Sequence, residues 1–372
     1  MYEFKSRMEK YYNHDELQSK NIGGHVDKTF ARVDDNISSY NRHCEESEKN
    51  MTYPRPKTVK DSRYFAELFE ALQSGNSSYV TIYNDLVTPP DKTDRYLPKY
   101  VSCLIKEFSN EARTQIQFDQ TYIGFILEPI YCEVVGSRLA NALGIKTVYN
   151  TPISQYEASI FGDYPKYDTV LSIDFVKDGD FTRLFTDFFK SIPMTDVLMH
   201  EEALILLDRT LMRIGAWKDI PNWREFVDKT KRELVMQGLF KWLLCGDLDS
   251  DAKNYGITIY TSKNPDTGEM ENTLGMGAMP CLDYELIMGF VNNPYVDVQA
   301  RAVFENLSKN MPDVIDEFMT RVLNLRNSGE LDDILKNSMI VPPIVYENKI
   351  PMMHKSIEKL EGFWKESVIM PK

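Results

Sequence analysis

Three carboxylates at alternate positions, then a lysine and an asparagine, occupy the stretch Leu243-Leu244-Cys245-Gly246-Asp247-Leu248-Asp249-Ser250-Asp251-Ala252-Lys253-Asn254-Tyr255-Gly256. Like charges this close repel unless a divalent metal or a nearby cation offsets them. Three chemistries compete for the segment. A calcium loop of the EF-hand type starting at Asp247 would use Asp247, Asp249 and Asp251 as ligands one, three and five. It also needs glycine sixth and glutamate twelfth, and those positions hold Ala252 and Thr258. A solvated acidic turn needs no chemistry at all. A phosphoryl-transfer loop needs an aspartate that accepts the proton of the attacking hydroxyl and an asparagine five positions on that holds magnesium; Asp249 and Asn254 have that spacing.

Phosphoryl transfer makes further demands in a fixed order: a small-residue loop, a strand lysine for the nucleotide phosphates, a helix glutamate to position that lysine, and a second magnesium aspartate after the catalytic loop. Ser74-Gly75-Asn76-Ser77-Ser78 supplies a loop with one glycine. Lys106 lies near the end of the apolar run 100–108, and Glu133 opens the next strong helix. Asp283 follows in Met279-Pro280-Cys281-Leu282-Asp283-Tyr284-Glu285. Each has an ordinary reading too: a turn, an edge-strand lysine, a solvated first-turn glutamate favoured by the helix dipole, and a helix N-cap. The order of the five features carries the phosphoryl-transfer reading.

On these residues the chain resembles the HipA-like serine/threonine kinases. Asp249-Ser250-Asp251-Ala252-Lys253-Asn254-Tyr255 is similar to that family's Asp-x-His-x-Lys-Asn loop with its following aromatic residue, and Asp251 stands where the family has histidine. Glu133 with Leu139-Ala140-Asn141-Ala142-Leu143-Gly144-Ile145 resembles the family's helix, Ser74-Gly75 its Ser-Gly loop, and Tyr96-Leu97-Pro98-Lys99 with Leu104-Ile105-Lys106 the approach to its phosphate lysine. Met279-Pro280-Cys281-Leu282-Asp283 resembles its Pro-x-x-Asp segment. The match covers roughly residues 70 to 290; His-Arg-Asp and Asp-Phe-Gly are absent.

The resemblance implies an α+β, two-lobed protein-kinase-like fold, with a strand-rich N-lobe, a helical C-lobe and a cleft between them. It implies ATP and Mg²⁺ as cofactors, with Lys106 on the phosphates and paired to Glu133, and residues 74–78 cradling the phosphates through Ser74, Gly75, Asn76, Ser77 and Ser78. The strand 169–176, through Ile173 and Phe175, would lead into the adenine-binding hinge. Asn254 and Asp283 would hold the metal, and Asp249 would take the proton. The acceptor would be a serine or threonine hydroxyl of a protein, with autophosphorylation at Ser74, Ser77 or Ser78 and an antitoxin-like partner. Transfer to a small molecule or lipid, adenylyl transfer, and a nucleotide-binding pseudokinase are the alternatives.

The elements that must position these residues follow from periodicity. Residues 62–73 have helical spacing, 74–78 break it, and 79–83 and 100–108 read as strands. Residues 129–143 read as a helix with an apolar stripe of Val135, Leu139, Ala142 and Leu143, stopped at Gly144. A strand is expected over 169–176, helices over 201–214 and 222–245, and a short strand pair from 255. Helices follow after 283, ending with a packing helix over 355–368. The expected organisation is a polar region over 1–60, an N-lobe over 61–176 and a C-lobe over 177–372.

The net charge of −13 disfavours general binding to phosphate backbones. Cys44, Cys103, Cys132, Cys245 and Cys281 are scattered, which argues against a disulfide framework. With no apolar leader and no membrane-length run, a cytoplasmic protein is expected. The five histidines lack zinc spacing, and neither Walker A, Gly-x-Gly-x-x-Gly nor Gly-x-Ser-x-Gly occurs.

Overall fold

β-branched and aromatic runs in the first half of the chain become an antiparallel sheet of four strands. The computed structural model describes residues 27–34, 100–108, 123–148, 150–155, 166–173, 191–217, 219–247, 254–263, 270–281, 284 and 294–369. The strands are β1 (Asp27–Asp34), β2 (Tyr100–Glu107), β3 (Asn150–Gln155) and β4 (Lys166–Ile173), in the order β1-β2-β4-β3. Lys106 pairs with Lys28 of β1 on one side and Val170 of β4 on the other, so it sits on an interior strand rather than an edge. β3 joins β4 with Asn150 opposite Ser172, and its register shifts between Ile153 and Ser154.

A π-helical turn (Ile123–Leu127) packs on β4 and leads into helix α1 (Glu128–Ala142). The expected apolar stripe understates this helix. Every side chain from Ile130 to Ser137 is buried, while Ala142 is only half-buried. A helix enclosed on all sides needs partners for any polar group it carries.

Contacts divide the chain into two compact units. The first contains β1–β4, the π turn, α1 as far as residue 138, and residues 334–347. Within it the Tyr131 hydroxyl donates to the Leu335 carbonyl at 2.7 Å.

The second unit contains residues 139–147, 178–333 and 348–372. Its helices are α2 (Met194–Met199), α3 (Glu201–Trp217), α4 (Trp223–Gly238), α5 (Pro294–Asn310), α6 (Pro312–Asn327), the first residues of α7 (Glu330–Asn337), and α8 (Lys349–Ile369). Leu204, Leu207, Leu211 and Ile214 give α3 a buried face at helical spacing. α3 packs on α4, α2 on α5, and α5 on α6 and α8. Arg232 of α4 donates to Asp313 and Glu317 of α6. The strand pair expected after residue 255 is a longer hairpin, β5 (Ile257–Lys263) with β6 (Met270–Ala278). Among the described residues no helix is long and apolar enough to cross a membrane.

The helix expected over 222–245 changes pitch at its end. α4 passes into a π-helical segment, Leu239–Leu244, and Gly246 then takes a left-handed conformation with φ +66°. Only glycine adopts that conformation at no steric cost. The Asp247 N–H donates back to the Lys241 carbonyl at 2.9 Å, closing the helix end. Helix α1 ends similarly at Gly144, φ +66°, where Arg321 Nη1 donates to the Leu143 carbonyl at 2.6 Å.

Candidate active site

In the first unit, Lys106 Nζ forms an ion pair with Glu133 Oε1. The lysine is 4% exposed and the glutamate 0%. Glu133 therefore is not a solvated first-turn residue. It lies more than a turn inside α1, which starts at Glu128, rather than opening the helix.

A buried carboxylate has a second oxygen and more lone pairs to satisfy. Asn150 Nδ2 donates to Glu133 Oε2 at 2.9 Å and to the Glu133 main-chain carbonyl at 3.0 Å. Ser172 Oγ donates to Asn150 Oδ1, and the Asn150 N–H donates to Ser137 Oγ at 3.3 Å. Ser137 Oγ in turn donates to the Val148 carbonyl at 2.6 Å. Strand β2, helix α1 and strands β3 and β4 thus converge on one carboxylate.

In the second unit, Lys241 Nζ lies 3.1 Å from Asp247 Oδ2, with the two side chains 0% and 1% exposed. It is a contact of charges rather than an aligned hydrogen bond. The Lys241 ammonium also stands 5.8 Å from the centre of the Tyr284 ring. The preceding helix thus sets a cation beside the first carboxylate of the acidic run. Asn254 is buried, three residues before β5 begins at Ile257.

The segment leading to Asp283 is held at several points. Gln237 Nε2 donates to the Met279 carbonyl at 2.6 Å, and the Cys281 N–H donates to the Lys146 carbonyl at 2.8 Å. Thr147 Oγ1 and Tyr284 Oη both donate to the Cys281 carbonyl, at 3.1 and 3.0 Å. Glu233 Oε2 accepts the Ala278 N–H at 2.7 Å.

Of the residues expected from the sequence, the structure brings Lys106 and Glu133 together. Ile173 is the last residue of β4, opposite Cys103. Asp249, Asp283, Phe175 and residues 74–78 (Ser74, Gly75, Asn76, Ser77, Ser78) lie outside the described residues. Among the described residues no three His, Cys, Asp or Glu side chains gather as a metal site.

Sequence reasoning missed Asn150, Ser172 and Lys241. Lys241 carried a usable signal, a lone charge inside Leu239-Phe240-Lys241-Trp242-Leu243-Leu244, because a lysine in so apolar a run requires a buried partner. Asn150 carried none, since asparagine before Thr151-Pro152 reads as a turn.

No protein-family model matches the chain, and no curated protein sequence matches it. Among solved structures it is similar to the crystal structure of a Helicobacter pylori proinflammatory kinase, CtkA, at 12% identity and a TM-score of 0.42, over 74% of this chain and 91% of that one.

Proposed function

We propose that the chain is an ATP–Mg²⁺-dependent phosphotransferase acting on a hydroxyl, and that its acceptor is a serine or threonine of a protein, as the HipA-like resemblance implies. The observation that carries this reading is the buried Lys106–Glu133 pair between an interior strand and a helix. A lysine so placed has a fixed direction for its ammonium, which suits it to contact nucleotide phosphates. In this reading Asp249 accepts the proton of the attacking hydroxyl. The hydroxyl oxygen bonds to the γ-phosphorus as the bond to the bridging oxygen breaks, and ADP leaves.

Asn254 and Asp283 are the residues that would hold magnesium. An amide oxygen and a carboxylate are hard oxygen ligands of the kind that ion takes, so the donor chemistry fits. Magnesium bound there would neutralise charge on the phosphates. The chain's own contribution is to bury Asn254 three residues before β5 and to fasten the segment before Asp283 through Gln237, Lys146 and Thr147.

Thermal shift with millimolar ATP and Mg²⁺ is the test. Wild type gains a metal-dependent rise in Tm that Lys106→Ala and Asp283→Asn lose; no rise in folded wild type overturns the reading. Asp249→Asn then lowers transfer from γ-labelled ATP by about 10²–10⁴-fold with the fold intact. Label retained from the α-phosphate instead identifies adenylyl transfer, and ATP affinity without turnover identifies a pseudokinase.

A further inference from the structure

Glu133 has two carboxylate oxygens and only one faces Lys106. What fixes which oxygen, and at what angle, is a side chain with no part in the expected site. The orientation of the Asn150 carboxamide is forced. Both groups it meets at Glu133, the carbonyl and Oε2, are acceptors, so the amide must present its nitrogen there and its oxygen to Ser172. Its two N–H bonds are thereby spent on one residue, one on the main chain and one on the carboxylate. Glu133, Asn150 and Ser137 are each 0% exposed, and Ser172 is 5% exposed, so little water competes for these bonds.

Asparagine alone among the polar residues fits this place. Aspartate has the shape but would set a second carboxylate against the first. Serine and threonine lack a second donor, and glutamine is one methylene too long for the fully enclosed site.

We propose that Asn150 is a positioning residue for phosphate contact. By clamping Glu133 to its own main chain it presents Oε1 to Lys106 and so sets the direction of the Lys106 ammonium. Ser172 and Ser137 hold the clamp from β4 and α1. The inference rests on the phosphotransferase reading for its consequence in ATP binding, but the ordering of Lys106 can be tested without any nucleotide.

The experiment uses the full chain labelled with ¹⁵N-lysine. The Lys106 ammonium signal is identified by its loss in Lys106→Met, and the affinity for Mg²⁺–ATP is measured calorimetrically at a temperature where each variant is folded by circular dichroism. In wild type the buried, paired ammonium gives a resolved signal. Asn150→Ala broadens or shifts it and raises Kd for Mg²⁺–ATP by about tenfold or more, the worth of a hydrogen bond to a charged group. Ser172→Ala, which keeps the amide and removes its outer support, gives the same change more weakly, about threefold in Kd.

A merely structural residue would lower Tm in these variants and leave signal and Kd alone. An unchanged ammonium signal with Kd within about twofold of wild type therefore overturns the proposal. If wild type binds no ATP, the phosphotransferase reading falls, while the ammonium signal still decides whether Asn150 orders Lys106. If Asn150→Ala does not fold, Ser172→Ala decides by the same two measurements.

Discussion

Among the described residues, each unit holds a buried lysine–carboxylate pair, and these two are built differently. Lys106 and Glu133 come from separate elements, a strand and a helix, and the carboxylate has a second donor in Asn150. Lys241 and Asp247 come from a single helix end, where the N–H of one already bonds the carbonyl of the other, and the ammonium faces an aromatic ring. A charge withdrawn from water is costly, and attraction between partners offsets that cost only when the remaining polar atoms are satisfied. The first pair spends its surroundings on fixing the direction of a side chain. The second spends them on closing a helix just ahead of the acidic run, so equal chemistry serves orientation in one unit and termination in the other.

The comparison breaks most sharply by deletion. Asp247→Ala deprives a fully buried lysine of its carboxylate and should cost about 3–5 kcal/mol in urea unfolding. Adding Lys241→Met should recover most of that loss; no recovery means the charge pair is not what the carboxylate stabilises. Lys106→Met should cost less, about 1–3 kcal/mol, because Asn150 still donates to Glu133. Equal losses at the two sites would show that the amide gives Glu133 no shelter.

Arg321→Ala tests the other glycine-closed helix end. Removing the guanidinium that covers the Leu143 carbonyl should lower stability by about 1 kcal/mol. Gly144→Ala should cost about as much, since a side chain is strained at φ +66°. A neutral result at both positions would show that neither the glycine nor the guanidinium holds this helix end.

The smallest effect concerns alkaline pH. Burial, with contributions from Cys132, Tyr346 and Glu128, holds the Tyr131 phenol well above the ordinary tyrosine range. Its folded pKa exceeds its unfolded one, so its contribution is present in full below about pH 10 and is lost as pH rises beyond that. Wild type should lose stability between about pH 9 and 11, and Tyr131→Phe should lose less over that interval, read as the difference in urea midpoints.

Elements with a strong period were legible in the sequence. The strand over 100–108 and the helices over 129–143 and 201–214 match observed elements to within three residues at each end, and the last helix, expected over 355–368, starts six residues earlier. The pairing of Lys106 with Glu133 was legible because each stood in an element whose type was plain. Asn150 was not, because its role comes from meeting Glu133 across 17 residues and Ser172 across 22, and single-chain periodicity holds no record of such meetings. Lys241 was half-legible: its apolar neighbours announced burial, while its partner depended on a left-handed glycine and a π-helical turn that no period reveals.

That π-helical turn makes residue number, rather than residue type, the quantity under constraint between Leu239 and Leu244. An α-helix advances roughly 100° per residue, so removing one residue and relaxing the turn would keep the helix and rotate all that follows it. Gly246 and Asp247 would then leave the helix on another side, away from Lys241. Substitutions among the apolar residues there should be absorbed, whereas a single-codon deletion should not be.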